Sequence, residues 1–189
     1  MNILLERLPT VAEIDGIEYE INTDFRNCLK IILAFEDAEL TAYEKNTIML
    51  KLLYKEIPQD VKQAQKIAVM FLNCGEENKA SASESGSKVY SFEKDSRYIY
   101  TAINQTHRID LEKIDYLHWW KFCYMFMDLK EDCFFTKLVD LRNRKNKGKL
   151  SKEEKEYCYK TKDIIDLPQI QTAGEAEAEN EFMRLLGKS

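Results

Sequence analysis

The residue pattern predicts a mainly α protein: a compact multi-helix bundle of about six helices with a small N-terminal β-hairpin. Three observations carry this. Apolar residues recur at helical spacing in both halves of the chain. Two stretches, "TAYE" at 41–44 and "SKEE" at 151–154, have the Ser/Thr-x-x-Glu pattern of a capping box. Near the N-terminus an Asp15-Gly16 pair sits between two alternating apolar runs.

The elements follow in order. In "TVAEIDGIEYEI" (10–21), Val11, Ile14, Ile17, Tyr19 and Ile21 supply β-favouring positions around the Asp-Gly pair, which predicts a two-stranded hairpin. A lone hairpin is marginal in water, so it must lie on helices. Asn22, Thr23 or Asp24 can cap the next helix. That helix carries Phe25, Cys28, Leu29, Ile32 and Leu33 and runs to Phe35 or Glu36. Thr41 opens a second helix, with Ile48 and Leu52 on its stripe, reaching about Tyr54. Pro58 suits the first turn of a third, which carries Val61, Ala64, Ile67, Ala68, Phe71 and Leu72 and stops at Gly75. "GEENKASASESGSK" (75–88) is small and polar, the composition of a flexible loop.

Beyond the loop, Tyr90 and Phe92 lead into a helix with Tyr98, Ile99, Ala102 and Ile103. An aromatic helix is expected from about Asp115 to Leu129, then a short one with Phe134, Phe135, Leu138, Val139 and Leu141. A basic run, "RNRKNKGK" (142–149), separates it from a charged helix that Ser151 opens and that reaches about Ile165 before Pro168. Residues 1–168 read as a single helical domain with a flexible loop at 75–88, and 169–189 as a mobile or weakly helical tail. A domain of this size, roughly 150 residues, buries about 70% of its unfolded surface and can support its own core.

The formal net charge is −5, and residues 1–88, with 15 acidic and 10 basic side chains, account for all of it. This balance argues against nucleic acid as a general partner. The five cysteines form no CxxC pair and predict reduced thiols. The N-terminal residues lack the apolar core of a signal peptide, and no run of 18 apolar residues exists to span a membrane. A cytoplasmic protein is expected.

"DYLHWWKF" (115–122) gathers a tyrosine, a histidine and both tryptophans of the chain. On a helix, Tyr116, Trp119, Trp120, Cys123, Phe126 and Met127 share one face, and Phe122, Met125 and Leu129 form a second stripe. A helix apolar nearly all round belongs in a core. His118 has no triad partner within reach; His107, the other histidine, lies eleven residues away. No phosphate loop, GxSxG, HExxH or zinc spacing occurs. No enzyme activity, cofactor or metal is expected. Arg142, Arg144 and Lys145 are candidates for phosphate contact, against the plainer reading of a solvated loop between two helices. In the tail, Phe182, Met183, Leu185 and Leu186 are either part of a frayed end or a short amphipathic partner-binding segment.

"YEINTDFR" (19–26), "YSFEKDSRYIYTAI" (90–103), "IDYLHWWKF" (114–122) and "LSKEEKEYCYK" (150–160) resemble the bacteriophage gene-product-fifteen family of phages and prophages of Gram-positive bacteria. The resemblance covers the chain to about Pro168 and adds no catalytic residues. It implies a protein of the tail-morphogenesis cluster of long-tailed phages, encoded just before the tape-measure protein. From that position it implies a tail-assembly chaperone that binds the tape-measure protein, and other tail proteins besides, in the host bacterial cytoplasm. Alternative readings are a structural tail or connector component and a nucleic-acid-binding accessory protein. Homo-oligomerisation stays open.

Overall fold

The structure, a computed structural model, describes residues 2–76 and 88–167. Asp15 and Gly16 both take positive φ, 52° and 75°, the signature of a two-residue turn whose twist matches its strands. The turn joins β1 (Val11–Ile14) to β2 (Ile17–Glu20) in antiparallel register, with Ala12 opposite Tyr19 and Ile14 opposite Ile17. Ala12 and Ile14 point inward and are buried.

Eight helices follow among the described residues: α1 (Phe25–Glu36), α2 (Ala42–Leu53), α3 (Val61–Leu72), α4 (Ser96–His107), α5 (Trp119–Met127), α6 (Phe134–Asn146), α7 (Lys152–Lys160) and α8 (Lys162–Ile165). The mainly α class and the small hairpin are as expected. The helix number exceeds six in part because the charged helix after Ser151 breaks at Thr161, whose φ and ψ of −118° and 32° leave the helical region. Both capping boxes form: Thr41 and Ser151 accept the backbone N–H of Glu44 and Glu154, and each glutamate accepts the cap's own N–H.

Two compact units are built, one from residues 2–76 and 115–124, the other from residues 88–114 and 125–167. In the first, α1 packs on α2, α2 on α3, and α3 against β1. Its core includes Ile14, Ile31, Met49, Leu53 and Phe122, all nearly inaccessible. Phe25 stacks on Phe122 with centroids 4.9 Å apart, and Trp119 stacks on Phe122 at 5.6 Å. In the second, α4 packs on α6. Tyr90, Phe92 and Phe135 gather around Phe126 at 5.2–5.6 Å, and Leu138, Cys158 and Ile165 form a further buried cluster.

Three local expectations are corrected. Pro58 precedes the third helix instead of opening it; Asp60 is the cap, accepting the N–H of Gln63 at 3.0 Å, because its carboxylate lies within reach of that orphan donor. Residues 115–118 are not helical. They lie extended beside the start of α1, where Phe25 N–H donates to Leu117 O (2.9 Å) and Trp119 N–H to Thr23 O (2.7 Å), so α5 begins only at Trp119. The basic run is not a loop either, since α6 continues to Asn146 and carries Arg142, Arg144 and Lys145 in its last turns. Gly148, at φ 68°, closes α6: its N–H donates to Lys145 O and that of Lys149 to Arg144 O, the paired bonds of a Schellman motif.

The reason α6 extends so far is Arg142, which is 2% exposed. Its guanidinium grips Asp95 with two parallel bonds, Nη1 to Oδ2 at 2.6 Å and Nη2 to Oδ1 at 2.9 Å. The remaining N–H groups reach Val89 O, Ile164 O and Ile165 O. All five donors of the side chain are used. Asp95 is fully buried, begins α4 without capping it, and also accepts the N–H of Ser91 at 3.0 Å. Removing one partner of such a pair leaves an uncompensated buried charge, which costs about 3–5 kcal/mol. Asp95→Ala should therefore lower stability in chemical denaturation by about that amount; a loss under about 1 kcal/mol would show the pair to be dispensable.

Gly75 gives a second test. It has φ 77°, and a Cβ built there would lie 2.8 Å from the Trp120 ring, whereas Gly16, at φ 75°, has open space around it. Both substitutions to alanine meet a left-handed backbone cost of about 1–2 kcal/mol. Gly75→Ala should cost clearly more than Gly16→Ala in urea unfolding followed by tryptophan emission. Equal losses would remove the ring contact from the account.

Candidate functional site

The aromatic stretch binds the protein to itself. His118 is 4% exposed and its Nε2 lies 3.0 Å from Pro9 O. A carbonyl can only accept, so Nε2 carries the proton. Nδ1 is then a lone-pair acceptor and takes the N–H of Trp120 at 3.1 Å, in the position of an N-cap for α5. Burial, with a smaller contribution from Lys121, lowers the pKa of His118 below its ordinary value, against the Pro9 hydrogen bond that raises it. A neutral imidazole with both nitrogens committed has nothing left for proton transfer.

The next two residues close α3. The indole N–H of Trp119 donates to Leu72 O and that of Trp120 to Phe71 O, both at 2.8 Å. Asn73 N–H reaches Val69 O, and Gly75 N–H reaches Met70 O. All four terminal carbonyls of the helix are satisfied, two of them by side chains from far along the chain. Trp119, Trp120 and Phe122 are buried as the sequence implies. Tyr116 and Met127, placed on the same face by periodicity, are 54% and 69% exposed, because residue 116 precedes the helix and residue 127 ends it.

Cys74 ends this motif at φ 58°, and its thiol is hydrogen-bonded to that of Cys123. That bond holds the Cys74 thiol below its ordinary range and pushes Cys123 well above, with burial adding to the latter. Cys28, buried nearby, is likewise pushed up by desolvation. Among the described residues no group of three or more His, Cys, Asp or Glu is placed to hold a metal ion.

The phosphate candidates are already engaged. Arg142 is saturated as described, Arg144 bridges Asp140 (2.8 Å) and Glu154, and Lys145 pairs with Asp166. Phe182, Met183, Leu185 and Leu186 lie outside the described residues. An open groove of about 850 Å³ lies between α6 and α7. Lys137, Asp140, Leu141 and Arg144 line one side, spaced 3, 1 and 3 on one helix face. Glu153, Glu154 and Tyr157 line the other, and Thr136 of α6 and Glu131 just before it complete the lining. Of these residues the sequence offered only Arg144 as a site candidate, and for phosphate rather than for a groove. Their signal was the helical spacing on α6 together with the capping box of α7, but a helix end placed at Leu141 hid it.

A family model described as "Bacteriophage Gp15 protein" matches residues 4–167. The chain belongs to the bacteriophage Gp15 protein family. No curated protein matches it, and no solved structure does. The span matched to the Gp15 family takes in the His118 cap, the tryptophan pair that closes α3, and the Asp95–Arg142 pair. No helix among the described residues is long and apolar enough to cross a membrane.

The His118 arrangement fixes the sign of a pH response. Its folded-state pKa is depressed, so between that value and the ordinary 6.5 the unfolded chain binds more protons than the folded one. The stability it contributes is fully present above about 6.5 and is lost as pH falls toward the folded value. The surface carboxylates of Glu20, Glu44 and Glu154, lowered from 4.5, titrate beneath this window. Unfolding free energy should decline between pH 6.5 and 5 in the wild type and less steeply in His118→Gln. Parallel curves would show that His118 does not titrate on unfolding.

Proposed function

We propose that this Gp15 family protein is a phage tail-assembly chaperone: it binds the tape-measure protein in the host cytoplasm and keeps it soluble until the tail tube forms around it. The observation that carries this reading is membership of a phage family across residues 4–167, joined to the sequence resemblance that implies a gene beside that of the tape measure. A tape-measure chain exposes long apolar helical stripes before assembly, the kind of surface that aggregates unless held.

The protein acts by binding rather than by catalysis. His118 and Arg142, the side chains that would draw attention in an enzyme, are spent on backbone groups. The described surface does offer apolar contacts. A turn at the N-terminus is held by Asn2, whose side chain accepts Leu4 N–H and whose carbonyl accepts Leu5 and Glu6 N–H. It presents Leu4 and Leu5 at 89% and 83% exposure. A large exposed apolar group of this kind suits a holding protein.

Co-expression with the tape-measure protein of the same phage, followed by affinity capture and size-exclusion with light scattering, tests the reading. The tape measure should become soluble and co-elute, and mass spectrometry of purified particles should find the chaperone missing. A protein that elutes alone beside an insoluble tape measure, yet is present in particles, would be a structural tail component instead.

A further inference from the structure

The α6–α7 groove has a chemistry that selects its occupant. Its wall residues Leu141 and Tyr157 are apolar; Leu141 packs on the cluster of Leu138, Cys158 and Ile165, and Tyr157 is 49% exposed. Around them stand four carboxylates against two cations. Arg144 is taken up by Asp140 and Glu154 and ties α6 to α7 across the groove. Glu131 and Glu153 remain on the rim with Lys137, so the groove is net acidic. Glu153 is held below the ordinary carboxylate range by the backbone N–H at the start of α7 and by Ser151, and Glu154 by Arg144, so both stay ionised at neutral pH. An acidic rim around an apolar wall repels nucleic acid and lipid phosphate, and it complements an apolar side chain with a cation one helical turn away.

We infer that this groove seats a short amphipathic helical segment of the tape-measure chain, one that places an apolar side chain against Leu141 and Tyr157 and a lysine or arginine, three or four residues along, against Glu131 and Glu153. The inference rests on the chaperone reading and adds where the partner binds and which of its segments is chosen. Its signature is association that weakens with salt and depends on two exposed features of one groove. Tyr157 is half exposed, and Glu131 lies in the turn before α6.

The test uses the full chain and overlapping 20-residue peptides covering the tape-measure protein, with binding read by fluorescence anisotropy at two salt concentrations. Wild type should bind a small set of peptides bearing an apolar residue and a Lys or Arg at i+3 or i+4. Tyr157→Ala should weaken that binding at least tenfold. Glu131→Lys combined with Glu153→Lys should weaken it tenfold at low salt and abolish most of its salt dependence. Circular dichroism checks that each variant keeps its helical content, and Lys66→Glu, on the exposed side of α3, serves as a charge control that should change nothing. If the tape measure co-elutes with wild type but both groove variants retain it within twofold, or if no peptide binds, the groove assignment is overturned and the chaperone reading stands. If wild type fails to hold the tape measure at all, both fall together.

Discussion

Helix ends govern this structure. No helix among the described residues exceeds 13 residues, so the four carbonyls that each leaves without an intrahelical partner are a large share of its backbone. Some ends close locally, through Gly148 on α6 and the left-handed Arg108 on α4. Others wait for a side chain from elsewhere. Lys45, itself buried, reaches Phe35 O at the end of α1 at 3.2 Å. Asn27 reaches Leu52 O at the end of α2. Trp119 and Trp120 close α3, and Arg142 takes Ile164 O and Ile165 O at α8. An orphaned buried carbonyl costs about 1–3 kcal/mol, comparable to a large part of a small domain's net stability. The long polar and aromatic side chains of this chain are thus used as tertiary caps.

The same use of side chains occupies the residues that look chemical. An arginine with five bonds, a histidine with both nitrogens engaged and two tryptophans with their N–H groups on carbonyls are spent before any ligand arrives. A buried ion pair adds little stability over a well-packed apolar substitute, and here the Arg142 guanidinium does what an apolar side chain cannot, because three backbone carbonyls depend on it. Asp95 likewise gives up capping α4 in order to hold it.

Two features of the described surface are open to a partner. The Leu4–Leu5 turn and the α6–α7 groove offer apolar area beside charge, the combination on which the proposed binding of a helical partner draws. Neither feature needs a reactive group, in keeping with the binding role proposed for this phage-family protein.

The sequence by itself determined whatever acts within about one turn of the backbone. The Asp15-Gly16 turn and the capping boxes at Thr41 and Ser151 were legible because their causes are neighbours in the chain, and the burial of Trp119, Trp120 and Phe122 because a stretch so rich in apolar residues belongs in a core. The family was legible for a related reason, since its fingerprint is a run of adjacent residues. Tertiary structure decided the rest. Residues 115–118 have helical periodicity but pair with Thr23 and Phe25. Arg142 sits in a basic run but is claimed by an aspartate 47 positions earlier. The two walls of the groove are joined where Arg144 reaches across to Glu154. In each case the deciding bond joins groups remote in sequence, and periodicity, which compares a residue only with its near neighbours, carries no record of them.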